Sequence, residues 1–419
     1  MATDLHDLHL PHQLAAAYKT LTAQCHCKSA HFTVTVPSSA LPLPVHLCHC
    51  SICRYTHGTL CSFHAPLPKG VEPEFVLPSS IASSLTGYVH SPQAAAERFF
   101  CTTCGCHIGD RDLKPDPDTG KPEWRVATSI FAAHDEDSFQ IRSHCFTDPT
   151  TEPNLSTWLP SINGRKIHVW NPSPNDPQFP LASSPPPKPD LPNNENKNLL
   201  LAQCHCAGVR FTLPRPSPQE IADPLLSRYL KSSPNPNPSS SKANDDNDDK
   251  PTTATATATA TTTLKRVACL CLCADCRLVS GAHAMPWTFA PLSCIQPEVG
   301  PGLEGFGGTL RLYRSSERVT RGFCGGCGAT VFYALDDEER VSLLPGGERI
   351  VDVAVGILRD WEGRIAVEDW VTWRTGRLAG METGKEFDGA FAEALAEGLG
   401  AWGVRRHGER MEFNIPLDL

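Results

Sequence analysis

Three cysteines fall within six positions of VHLCHCSICRYTHG: Cys48, Cys50 and Cys53. Three thiolates so spaced hold a tetrahedral metal with one position open, the pattern of a catalytic zinc, whereas a closed structural site takes four ligands. The cluster returns as CLCADCRLVSG, with Cys271, Cys273 and Cys276. Before each lies a Cys-x-Cys, in QCHCKSAHF at 24–32 and QCHCAGVRF at 203–211. After each comes a Cys-x-x-Cys-Gly, in RFFCTTCG at 98–105 and RGFCGGCG at 321–328. Cys53 to Cys101 and Cys276 to Cys324 are both 48 residues, and Gly58 and Gly281 each follow the third cysteine by five. A tandem duplication reproduces those intervals.

Seven cysteines per copy divide into four and three. Cys25, Cys27, Cys101 and Cys104 would close a structural site in the first copy, and Cys204, Cys206, Cys324 and Cys327 in the second. Gly105 and Gly328 suit the positive φ of a tight zinc-knuckle turn. Other pairings fit the same spacing, as does one zinc per copy with three spare thiols. Arg54 and Arg277 follow the trios directly, either to balance thiolate charge or hold a substrate carboxylate, or as ordinary surface arginines. Within their Cys-x-Cys pairs, His26, His49 and His205 are expected to face solvent. His57 and His144 are candidate bases in the first copy only; His283 in the second has no aligned match in the first, and a structural role is the bland reading of each. Cys61, Cys106, Cys145, Cys269 and Cys294 are expected to be buried thiols. Of these, Cys269 in CLCLC leaves an altered ligand choice open.

The elements that must position these groups read as short strands, rich in β-branched and aromatic residues: HFTVTV, RFTL, WRVATSIF, IVDVAVGIL and KIHVW. FDGAFAEALAEGLGAW is the clear helix, with Phe387, Phe391, Leu395, Leu399 and Trp402 on one stripe expected to dock onto its own domain. The predicted organisation is an extension at 1–21, a first zinc domain at 22–170, a Pro-rich linker at 171–198, a second domain at 199–380 and a helical extension at 381–419. Cys27 to Cys48 is 21 residues but Cys206 to Cys271 is 65, so the second copy carries an insertion, read as disordered over 217–263. Within it, ADPLLSRYL is expected to form one or two helical turns. At 419 residues the chain is long enough for two domains, each with its own core.

The net charge of -9 and pI near 6.0 argue against a nucleic-acid or anionic-membrane surface. No apolar run reaches the roughly 18 residues of a membrane span, and MATDLHDLHLPHQL lacks the pattern of a secretory signal. A reduced, cytoplasmic setting is therefore expected, in which the 19 cysteines are ligands or thiols rather than disulfides.

The ordered motifs CxC, CxCxxCR with its downstream glycine, and FCxxCG resemble in both copies those of the glutathione-dependent formaldehyde-activating enzyme family, which also includes centromere protein V. The resemblance covers most of 22–170 and 199–375. It implies a mainly β fold of two tandem zinc-bound beta-tent domains, with a structural Zn2+ on each outer four cysteines and a second on each trio. It also implies carbon–sulfur lyase chemistry, in which the glutathione thiol adds to formaldehyde to give S-hydroxymethylglutathione. His144 resembles a histidine common near the end of the family domain, where the second copy has VEDWVTW. The expected function is thus a zinc-dependent enzyme for glutathione, or a similar small thiol, and an aldehyde. The alternative is a noncatalytic zinc scaffold that binds proteins.

Overall fold

The computed structural model describes residues 17–147 apart from 133, 153–172, 198–234, 262–336 apart from 298, 300–302 and 304, 348–359, and 367–415 apart from 414. Most of the 171–198 linker and the centre of the 217–263 insertion lie outside the described residues. The chain is mainly β, as alternation dictates. In His31–Pro37, Phe32, Val34 and Val36 turn inward while the residues between them do not. The opening strand, Tyr18–Gln24, pairs with it throughout, so the fold begins ahead of the boundary expected at residue 22.

Each half is built on one large sheet. In the first, the strands run in the order His168–Trp170, Phe139–Cys145, Leu43–Cys48, Ser62–Pro66, Pro122–Ala127, His107–Pro115, Ala96–Cys101, Leu85–Tyr88. In the second, Thr262–Cys271, Met285–Pro291, Ile350–Ala354, Thr330–Leu335, Val319–Cys324 and Leu310–Ser316 repeat the series from Leu43–Cys48 onward. Val371–Trp373 lies parallel to Thr262–Cys271, as Phe139–Cys145 does to Leu43–Cys48. The insertion's ends are structured rather than disordered. Ser217 caps the Pro218–Ala222 helix in a reciprocal box with Glu220, and Leu230–Pro234 pairs with the start of Thr262–Cys271.

One apolar core runs through both halves, in place of the two separate cores expected. The seam has approximate two-fold character. His26 Nδ1 lies 2.7 Å from the Tyr313 hydroxyl, and His205 Nδ1 lies 2.7 Å from that of Tyr88. The His26 amide donates to the Leu278 carbonyl and the His205 amide to that of Tyr55. These two histidines tie one half to the other and do not point to solvent as expected. Backbones also meet closely here: a Cβ on Gly58 would overlap the Thr330 carbonyl oxygen, and one on Gly281 that of His107.

The C-terminal helix, Met381–His407, packs on its own half, as expected, and on the first half as well. Phe391 meets His283 of the second half edge-on at 5.2 Å and Phe63 of the first at 5.7 Å, and Trp402 meets Trp158 at 5.6 Å. Asp388 breaks the helix with φ −149° and ψ 86°, and its side chain caps the following segment at the Phe391 amide. No described helix is long and apolar enough to cross a membrane.

Burial predicts acid lability. It holds His107 down to about 3, His144 to about 4 and His283 well below the ordinary histidine range. The unfolded chain takes up protons at these sites below about pH 6.5 while the folded chain does not. Their stabilisation is therefore complete above that pH and is lost as pH falls, by about 1.4 kcal/mol per pH unit per group. Urea midpoints should drop between pH 7.5 and 5.0, and a flat profile would contradict this account.

Candidate metal centres

Strand ends and tight turns assemble the outer cysteines. Cys25 follows Tyr18–Gln24, Cys101 ends Ala96–Cys101, and Gly105 closes the knuckle at φ 79°. The four sulfurs of Cys25, Cys27, Cys101 and Cys104 lie within 4.8 Å of one another, as do those of Cys204, Cys206, Cys324 and Cys327. Thiolates around a cation at about 2.3 Å stand about 3.8 Å apart in a tetrahedron. Here Cys25 and Cys27, and Cys27 and Cys101, are 3.5 Å apart, and Cys206 and Cys324 3.4 Å. Amides of Ala30 and Val209 donate to the Cys25 and Cys204 sulfurs at 3.3 Å. Hydrogen bonds from Cys101 and Cys104 pull the Cys27 thiol down, and those from Cys204 and Cys206 do the same for Cys324. Four soft donors at this spacing, with amides directed at sulfur, fit zinc.

The trios sit where a strand runs into a short helix. Cys48 ends Leu43–Cys48, Cys50 accepts the Cys53 amide as the cap of Ser51–His57, and Gly58 stops that helix at φ 75°. Cys271, Cys273, Cys276 and Gly281, at φ 74°, repeat the arrangement around Ala274–Ser280. Each trio gathers its sulfurs within 4.8 Å. Hydrogen bonds from Cys48 and Cys50 pull Cys53 well below the ordinary thiol range, and Cys271 and Cys273 act likewise on Cys276. Three thiolates with no fourth described donor fit a cation with one open position.

The charge partner of each trio is an arginine that the sequence reading passed over. Arg321 Nη1 donates to the Cys276 sulfur at 3.6 Å, and the Cys53 thiolate acts electrostatically on the Arg98 guanidinium. Burial opposes both guanidinium charges, yet the neighbouring thiolates hold them above the ordinary arginine range. Both open the repeated motif, RFFC and RGFC, so their signal was in the repeat itself. Arg54 and Arg277 are placed otherwise. Arg54 is buried with its Nε lacking a hydrogen-bond partner, while Arg277 donates to the Ser129 carbonyl and stacks on Phe387 at 3.6 Å. Replacing Arg98 or Arg321 by methionine should weaken metal binding at the adjoining trio about 10–100-fold. Competition with a chromophoric chelator measures this, and unchanged affinity would remove the arginines from the site.

The nominated histidines are buried. His57 stacks on His107 with ring centroids 3.7 Å apart, and its Nδ1 lies 2.9 Å from the Cys53 carbonyl. His144 lies 3.0 Å from His49, which is also buried rather than solvent-facing, and donates to the Leu159 carbonyl. A further candidate base is His64, which spacing alone did not mark. Its Nδ1 lies 2.9 Å from Asp110, which Arg125 holds at 2.6 Å, and its Nε2 has no hydrogen-bond partner. Cys61, Cys106 and Cys269 are buried thiols, Cys145 and Cys294 only half-buried, and burial pushes Cys269 up to about 12.

A fifth cluster explains itself without a ligand. Ser129 Oγ lies 2.7 Å from His283 Nδ1, the His283 and His134 Nε2 atoms are 3.1 Å apart, and His134 Nδ1 lies 2.8 Å from Asp388. One set of tautomers satisfies all four groups: Ser129 donates to His283, His283 to His134, and His134 to Asp388. The chain joins both halves to the C-terminal helix.

Residues 20–148 match a family model described as glutathione-dependent formaldehyde-activating enzyme. No curated protein matches the chain.

Proposed function

We propose, on the premise that residues 20–148 belong to the glutathione-dependent formaldehyde-activating enzyme family, that the chain is a carbon–sulfur lyase-type enzyme joining a small thiol such as glutathione to an aldehyde. On this reading the chain holds two tandem beta-tent domains and about two zinc ions in each. The outer four cysteines keep the fold, and each trio is a reaction site. The observation that carries the reading is the trio itself: a scaffold needs only the closed four-cysteine sites, yet both halves also gather three thiols beside an arginine.

A zinc ion on Cys48, Cys50 and Cys53 would supply an electrophilic seat that acidifies an incoming thiol. The protein's own groups do the rest. Arg98 offsets the negative charge of three thiolates. His64 Nε2, unpartnered and held by Asp110 through the far side of the ring, takes the thiol proton. The sulfur–carbon bond forms as the aldehyde π bond opens, and the proton ends on the former carbonyl oxygen. Nothing is oxidised or reduced.

The test is a titration of cobalt-substituted protein with glutathione and with 2-mercaptoethanol. A thiol entering the open position shifts the thiolate-to-metal absorption. No response to either thiol, with every site loaded, would leave the scaffold reading in its place.

A further inference from the structure

Register places different walls over the two trios. Counting from the paired positions Cys48–Ser62 and Cys271–Met285, His64 of the first half corresponds to Trp287 of the second. By the same pairing of neighbouring strands, Asp110 corresponds to Tyr333 and Arg125 to Asp352. In the first half the three are bonded to one another, a polar network that carries the unpaired His64 nitrogen. In the second half two of the three are aromatic, with Trp287 and Tyr333 centroids 6.3 Å apart, and Tyr229 lies 5.2 Å from Phe289 beside them.

These aromatic groups line a cavity of about 780 Å³ with Cys271, Cys273 and Cys276 in its wall. That volume falls within the range of sites that enclose a small organic ligand, about 300–1,000 Å³. A one-carbon aldehyde would fill little of it. Part of the wall comes from segments the first half lacks. Tyr229 belongs to the insertion, and Thr383 and Ile415 to the C-terminal region. The additions peculiar to the second half thus converge on its trio and enlarge an apolar recess there.

We propose that the second trio engages a substrate with a bulky aromatic body, its reacting end at Cys271, Cys273 and Cys276 and its ring on the wall of Trp287, Tyr333, Phe289 and Tyr229. This rests on the reading of the trios as thiol sites. The two halves then divide the chemistry by the size and polarity of what they accept. Arg321, between Cys276 and the face of Tyr333 at 4.8 Å, joins the charged end of the recess to the apolar one.

Calorimetry on the zinc-loaded full chain tests this with phenylmethanethiol, phenylmethanol and 2-mercaptoethanol. Burying the ring should make phenylmethanethiol bind about 10–100-fold more tightly than 2-mercaptoethanol. Trp287→His and Tyr229→Ala, each with zinc content unchanged, should both remove most of that preference. Equal affinities in the parent protein, or a preference that survives both substitutions, would overturn the proposal. Phenylmethanol separates the two layers. Binding as tight as the thiol's, lost in the same variants, supports the aromatic recess and contradicts the trio as a sulfur seat.

Discussion

Cys101→Ser is expected to unfold the protein rather than merely weaken it. Cys101 is fully buried at a strand end, with its sulfur 3.5 Å from that of Cys27. The site it shares with Cys25 and Cys104 pins the first strand of the fold to the far end of the sheet. Zinc binding at such sites contributes on the order of 10–16 kcal/mol in small peptides, and that free energy is folding free energy. A domain's whole stability is about 5–15 kcal/mol. Losing one of four thiolates therefore removes an amount comparable with everything that holds the fold. A strong chelator should act in the same direction on both outer sites. Circular dichroism during chelation, alongside metal release, checks this. A cooperative melt unchanged in midpoint after complete metal removal would show that the core alone suffices.

Gly58→Ala and Gly281→Ala should each destabilise the chain by about 2–5 kcal/mol. Both glycines have φ near 75°, where a side chain is strained, and both press on backbone from the opposite half. The overlapped atoms are carbonyl oxygens of Thr330 and His107, which no rotamer change moves aside. Gly120 separates the two causes: its φ is 67°, but a Cβ there meets nothing within 4 Å. Gly120→Ala should therefore lose only the conformational part, about 1–2 kcal/mol. Urea midpoints of the three variants decide the matter. A Gly58→Ala no worse than Gly120→Ala would mean that the halves are not clamped here.

Much of this was legible because cysteine intervals survive divergence when each sulfur must reach one point. The spacing 48 appears twice, and counting ligands suggests the grouping into four and three that the structure assembles. What could not be read was anything set by distant partners. His26 meets Tyr313 across 287 positions, so alternation within a Cys-x-Cys said nothing about its seam contact. An apolar stripe says that a helix docks but not on what, and Phe391 finds both Phe63 of the first half and His283 of the second. His64 and Trp287 became comparable only once strand register aligned them. Arg98 and Arg321 were a different failure. Arg54 and Arg277 adjoin the trios in sequence, whereas Arg98 and Arg321, each third in its strand, reach the sulfurs across the sheet.

Zinc stoichiometry tests the central claim most directly. Elemental analysis of the purified chain should give about four ions, falling to about two in the Cys50→Ser, Cys273→Ser double variant, which keeps its fold because the outer sites are intact. Two ions in the parent protein, unchanged by the double substitution, would contradict the open trios and the chemistry built on them.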